Sequence, residues 1–186
     1  MAKPVFVLRP SSFVYQANIA RLRAIILERD FLKTLVLGLG NPILTDDGVG
    51  IHVARELATR SLPSNVTCAE ASVGGLRLLE VIAGYERVIL VDAIQTADGK
   101  PGDILCCVAD DLHASLHSGS THDLSLAGAL RLGRGMGMAL PDNEAIAIVA
   151  IEVEDVLTFS EECTPAVTAA IPRAVEAILA ELAREA

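Results

Sequence analysis

Three places in the chain hold residue types suited to chemistry. The first is the acidic pair in Gly38-Leu-Gly40-Asn41-Pro-Ile-Leu-Thr45-Asp46-Asp47-Gly-Val-Gly50. A glycine-rich turn after a strand invites a dinucleotide reading, but the G-x-G-x-x-G spacing fails because Ile43 stands at the third glycine position. Asp46 and Asp47 would also repel a pyrophosphate from the helix start that normally accepts one. Two carboxylates suit a cation instead, although Thr45 or Asp46 read as a simple N-cap explains the same residues. The second place is Asp92, at the end of the apolar run Arg87-Val-Ile-Leu-Val-Asp92-Ala-Ile94, where a sheet opens into its ligand crevice. An Asx turn is the plainer alternative. The third is His122 in Ser118-Gly-Ser-Thr121-His122-Asp123-Leu124, able to present a neutral imidazole from a helix start, or to be an ordinary helix-end histidine. His52, His113 and His117 have weaker claims from their settings. Two carboxylates and one imidazole from three loops make an oxygen and nitrogen set that can grip a divalent transition ion and leave positions open.

The elements that must hold these residues alternate. Thr34 to Leu39 is a short, uniformly apolar strand, followed by a loop and a helical pattern from about Asp47 to Thr59. Val66 to Ala69 reads as a strand, Gly75 to Ala83 as a helix, and Arg87 to Asp92 as a buried strand. Asp103 to Val108 and Ala145 to Val153 read as further strands separated by a helix beginning near His122. Thr164 to Arg184 reads as one long final helix with Pro165 in its first turn. This alternation predicts an α/β three-layer sandwich, with a twisted, mostly parallel sheet, room for one antiparallel strand, and helices on both faces. Functional groups then gather at the carboxyl ends of the strands.

Composition narrows the classes. In a chain of 186 residues, 52% hydrophobic content gives enough apolar surface for one core and excludes disorder. No apolar run reaches the roughly 20 residues of a bilayer-crossing helix. A net charge of −9 argues against nucleic acid and for an acidic, monomeric protein. Cys68, Cys106, Cys107 and Cys163 form no C-x-x-C pair and read as buried free thiols, and Arg9, Arg21 and Arg23 interrupt any secretory h-region, which together predict a cytoplasmic protein. Residues 1–33 carry +4, so the remainder carries −13. Ile19, Leu22, Ile25 and Ile26 recur there at helical spacing. The chain therefore divides into an extension, 1–33, and a main domain, 34–186.

Taken in order, Gly38-Leu-Gly40-Asn41, Thr45-Asp46-Asp47-Gly48-Val49-Gly50, Val91-Asp92-Ala93, His122-Asp123-Leu124 and Cys163-Thr164-Pro165-Ala166-Val167 closely resemble the hydrogenase maturation proteases. The resemblance runs from about Thr34 to the final helix. It implies an endopeptidase that removes the C-terminal tail of a nickel-iron hydrogenase large-subunit precursor after nickel insertion. Its three metal-binding positions fall on Asp47, Asp92 and His122, which are thereby the candidate catalytic and metal residues. The first of these positions is often Glu in the family. Here Asp47 is one methylene shorter with the same hard oxygen donors, and Asp46 stands beside it as a reserve ligand. The family pattern does not require the 1–33 extension.

The resemblance further implies that nickel arrives with the substrate, so no permanently bound cofactor is expected. Three protein ligands would complete the shell of an ion already tied to substrate cysteines, turning metal loading into a docking signal. Hydrolysis would follow from an activated water or from polarisation of the scissile carbonyl. There is no G-x-S-x-G elbow and no H-E-x-x-H pair, and Cys68, Cys106 and Cys107 lie in strand patterns that do not suit a nucleophile. The competing class is a binding module that senses or delivers nickel without cutting. A nucleotide-binding enzyme is disfavoured by Ile43 and the paired acids.

Overall fold

A computed structural model of the chain describes residues 32–109 and 126–183. Five described strands form one sheet: β1 (Thr34–Leu39), β2 (Val66–Ala71), β3 (Arg87–Ile94), β4 (Ile104–Val108) and β5 (Ile146–Glu152), in the spatial order β2-β1-β3-β5-β4. The β1–β2, β1–β3 and β3–β5 pairs are parallel, and β4 runs antiparallel to β5 at one edge. The described helices are α1 (Val49–Leu57), α2 (Leu76–Ile82), α3 (Leu126–Gly135), α4 (Pro165–Thr168) and α5 (Ile171–Ala183), with 3-10 turns at Thr45–Gly48 and Asn143–Ala145.

The middles of the central strands are apolar because both of their faces are covered, with Thr34, Arg87, Asp92 and Glu152 at or near the strand ends. Alternate side chains of each strand point to opposite faces. Leu35, Leu37, Val88, Leu90, Ile146 and Ile148 pack with Leu79 and Ile82 of α2 and Leu130 of α3. Val36, Ile89, Val91, Val149 and Ile151 pack with Val53 and Leu57 of α1 and Val175 and Ile178 of α5. Two hydrophobic layers on one sheet make the expected α/β three-layer sandwich.

Beyond shifts of one or two residues at other ends, three differences from the sequence reading bear on the site and its supports. The final helix is not continuous. It breaks after Thr168 and restarts at Ile171, because Pro172 has no N–H to give the Thr168 carbonyl and its ring would clash with that carbonyl. Pro165 does occupy the first turn of α4. The helix expected from Asp47 begins only at Val49, since Thr45–Gly48 winds as a tighter 3-10 turn. Strand β3 runs on to Ile94, so Asp92 does not close it. The start of the helix expected near His122 lies outside the described residues.

Ile89 is wholly buried in the middle of the sheet. Ile89→Ala should lower unfolding free energy by about 2–5 kcal/mol, because the neighbouring strands cannot collapse onto the cavity. Urea denaturation followed by circular dichroism measures this.

Candidate active site at the carboxyl edge of the sheet

The chain order creates a crevice between β1 and β3. After β1 the chain crosses over one face through α1 to β2, then returns over the other face through α2 to β3, on the far side of β1. The loops leaving the carboxyl ends of β1 and β3 thus diverge, and ligands of open α/β sheets bind where they part. Asp47 lies in the loop leaving β1. Asp92 is the first residue of β3 past its ladder with β1, whose last pair is Gly38 with Val91, and it still pairs with Ala150 of β5.

Backbone contacts draw the first loop onto this edge. Gly50, at the start of α1, lies so close to Leu39 and Val91 that a Cβ there would collide with both carbonyl oxygens. Gly40 adopts a φ of 131°, and a Cβ on it would strike the Asp47 carbonyl. Only glycine permits either approach. The Asp47 carboxylate, half-buried, accepts a hydrogen bond from the Asn41 backbone N–H at 2.8 Å, and the Asn41 side-chain oxygen accepts one from Ile43 N–H at 3.3 Å. One Asp92 oxygen accepts the N–H of the next residue, Ala93, at 2.9 Å while both lie within β3, so the Asx turn that the sequence offered as an alternative is not what forms here.

Asp46 departs from both of its expected uses. It caps no helix, since neither the 3-10 turn nor α1 has a side-chain cap. Nor is it a reserve ligand. Fully buried at 0% exposure, its carboxylate accepts Thr164 N–H at 2.7 Å, Thr164 Oγ1–H at 3.1 Å, Asp155 N–H at 3.1 Å and Glu154 N–H at 3.3 Å. Three donors meet Oδ2 and one meets Oδ1, which commits this buried carboxylate to holding the loops together.

Thr45 is the described non-glycine residue with a positive φ, 43°. For a β-branched residue this conformation costs roughly 1–3 kcal/mol. It is held by Thr45 N–H donating to Ser160 O at 2.9 Å and Thr45 Oγ1–H donating to Thr158 O at 2.6 Å. Asp46 and Thr45 together rivet the β1 loop to the loop after β5.

Sequence reasoning missed a third anchor, Glu152. It is 2% exposed at the end of β5, and its carboxylate accepts Thr96 N–H at 2.6 Å and Thr96 Oγ1–H at 3.1 Å, fixing the segment that follows β3. An acid closing the apolar run Ile146 to Ile151 was the available signal.

His122, His113 and His117 lie outside the described residues. Among the described residues no group of three His, Cys, Asp or Glu is arranged to hold a metal ion. His52 lies within α1, and its Nε2 is buried facing Gly48 without a hydrogen-bond partner among the described residues. None of the four cysteines is in a disulfide, and none is fully buried as expected: Cys68, Cys107 and Cys163 are half-buried, and Cys106 is exposed on β4, which pairs with β5 at the edge of the sheet. Burial, followed by the charge of Asp46, pushes the Cys163 thiol up to about 11, and burial raises Cys68 as well. Neither is a thiolate at neutral pH, which removes both as nucleophiles.

The comparisons with known proteins agree with this architecture. Residues 51–181 match the family model HycI, hydrogenase maturation protease, a span that contains Asp92 and His122 and begins just after Asp47. The hydrogenase 2 maturation protease of Escherichia coli is 29% identical over 153 residues, covering 81% of this chain and 91% of that protein. The hydrogenase expression/formation protein HupD of Rhodobacter capsulatus is 28% identical, covering 81% and 71%. Among solved structures, the E. coli hydrogenase maturating endopeptidase HybD superposes with a TM-score of 0.69 at 32% identity, covering 81% of this chain and 91% of that one. HybD from Thermococcus kodakarensis gives 0.58 at 27%, covering 82% and 99%. Fold and relatives together define a peptidase of hydrogenase maturation. The chain belongs to the hydrogenase maturation protease family.

Two measurements check the site's supports. Asp46→Ala strands three backbone N–H groups and should cost about 3 kcal/mol of unfolding free energy, read by denaturant titration. Cys163 favours its neutral form when folded, so its contribution is intact below the ordinary thiol pKa of about 8.5 and is lost as pH rises toward about 11. Thermal melts across that window should fall more steeply for the native protein than for Cys163→Ala.

Proposed function

We propose that this protein is the endopeptidase that trims the C-terminal tail from the large-subunit precursor of a nickel-iron hydrogenase once nickel has been inserted. The observation that carries the reading is Asp47 and Asp92 flanking the switch-point crevice in a chain of the maturation protease family. Asp47, held by Asn41, and Asp92, on the rigid β3–β5 ladder, would offer carboxylate oxygens to the nickel that the precursor carries. His122 would add the imidazole donor. An open protein-side set suits an ion whose remaining ligands are substrate cysteines, and so ties cleavage to metal loading. The ion's Lewis acidity would activate the scissile amide or the attacking water. The side chains would orient the precursor so that its tail crosses the crevice. The acidic composition and four cysteines outside any disulfide support a cytoplasmic monomer as its working form.

Incubating nickel-loaded precursor with Asp47→Ala, Asp92→Ala or His122→Ala protein should show tail removal slowed on the order of 100-fold or more by mass spectrometry. Undiminished processing by His122→Ala would exclude that side chain. Precursor lacking nickel should remain uncut, and equal cleavage of loaded and empty precursor would remove nickel recognition. Absence of any mass change with the native protein would leave only a nickel-sensing or nickel-delivery module.

A further inference from the structure

The loop after β5 displays two large apolar side chains almost entirely to water: Leu157 is 84% exposed and Phe159 is 80% exposed. Ile43, in the loop that carries Asp47, is 48% exposed. The two loops are joined side by side. Leu44 and Ser160 form a parallel β-bridge, Ser160 N–H donates to Ile43 O at 3.1 Å, and Thr45 bonds both Thr158 and Ser160. The Asp155 carboxylate accepts Leu157 N–H at 3.1 Å and Thr158 N–H at 2.9 Å, which fixes the turn that presents Leu157. These apolar side chains therefore stand on a hydrogen-bonded frame and are not tips of an unsupported loop. Exposed apolar groups on a fixed frame mark an interaction site.

We infer that Ile43, Leu157 and Phe159 form the docking surface for the hydrogenase precursor, taking an apolar segment of that protein flanked by Lys or Arg. This rests on the protease reading above and names where its substrate is gripped. Two observations select the occupant. The surface is tied to the candidate active site, since Ile43 shares a loop with Asp47 and Asp46 in that loop clamps the segment between β5 and α4 that carries Leu157 and Phe159. Exposed Glu154, Glu161 and Glu162 bracket the two apolar residues in the chain, in a protein of net charge −9. Such a rim favours a basic partner and opposes a second copy of the same acidic surface. The apolar residues supply contact area while the acids orient the arriving chain. Docking beside the crevice sets the register of the tail without touching the cleavage chemistry.

The test uses the full chain with p-benzoylphenylalanine in place of Phe159, irradiated with nickel-loaded precursor. The expected result is a covalent adduct between protease and precursor. A crosslink confined to residues 1–31 of the same chain, a crosslink only between two copies, or no crosslink overturns the proposal. In parallel, the double variant Leu157→Ser, Phe159→Ser should keep its unfolding midpoint and its kcat, with kcat/KM for the precursor reduced roughly tenfold or more. Unchanged kcat/KM overturns the docking surface while leaving the protease reading intact. If the photocrosslinking protein forms the adduct and the native protein releases no tail from the same precursor, it is the protease reading that fails.

Discussion

A single buried carboxylate organises the carboxyl edge of this protein. Asp46 gathers donors from Glu154, Asp155 and Thr164, more than a hundred residues away in the chain, and so binds the loop leaving β1 to the loop leaving β5 and to the start of α4. A buried anion is tolerable only when its lone pairs are filled, and here each donor comes from backbone or from a hydroxyl that has no charge to neutralise. The consequence is positional. With Asp46 committed to the frame, its neighbour Asp47 is left at the crevice with one backbone contact.

The frame works because glycine lets backbones meet. Helix α1 starts against the carbonyls of Leu39 and Val91, and this brings the β1 loop down onto the end of β3, where Asp92 emerges past the β1 ladder. A side chain at Gly50 would lift the helix start and widen the gap between the two acids. Glu152 does the equivalent work on the other side, pinning the segment that leaves β3. The candidate site is thus bordered by segments whose positions are set by polar contacts to strand ends and not by loop composition.

Much of the fold was legible in the sequence because strands covered on both faces announce themselves as unbroken apolar runs. Thr34 to Leu39 matches β1 residue for residue, and the antiparallel edge strand had been allowed for. The final helix was misread since its Ala-rich periodicity continues through Pro172, and only the lost Thr168 acceptor partner reveals the break. The role of Asp46 was not legible, because its partners are distant in sequence and an acid at a helix start has a ready local explanation. Cys106 was misjudged for a related reason: an apolar strand pattern does not say which strand ends at the sheet edge. Asp47 and Asp92 could be picked out from their types and settings, whereas their relation across β1 and β3 depends on strand order, which one-dimensional spacing does not encode.

The left-handed backbone at Thr45 gives the two riveted loops a shared fate. That conformation persists only while Ser160 and Thr158 hold it, so releasing either loop lets Thr45 relax toward an unstrained state and removes the reason for the other to return. Opening of this edge is therefore cooperative, with the amides of Thr45, Asp46, Asp155 and Ser160 gaining access to solvent as a single set.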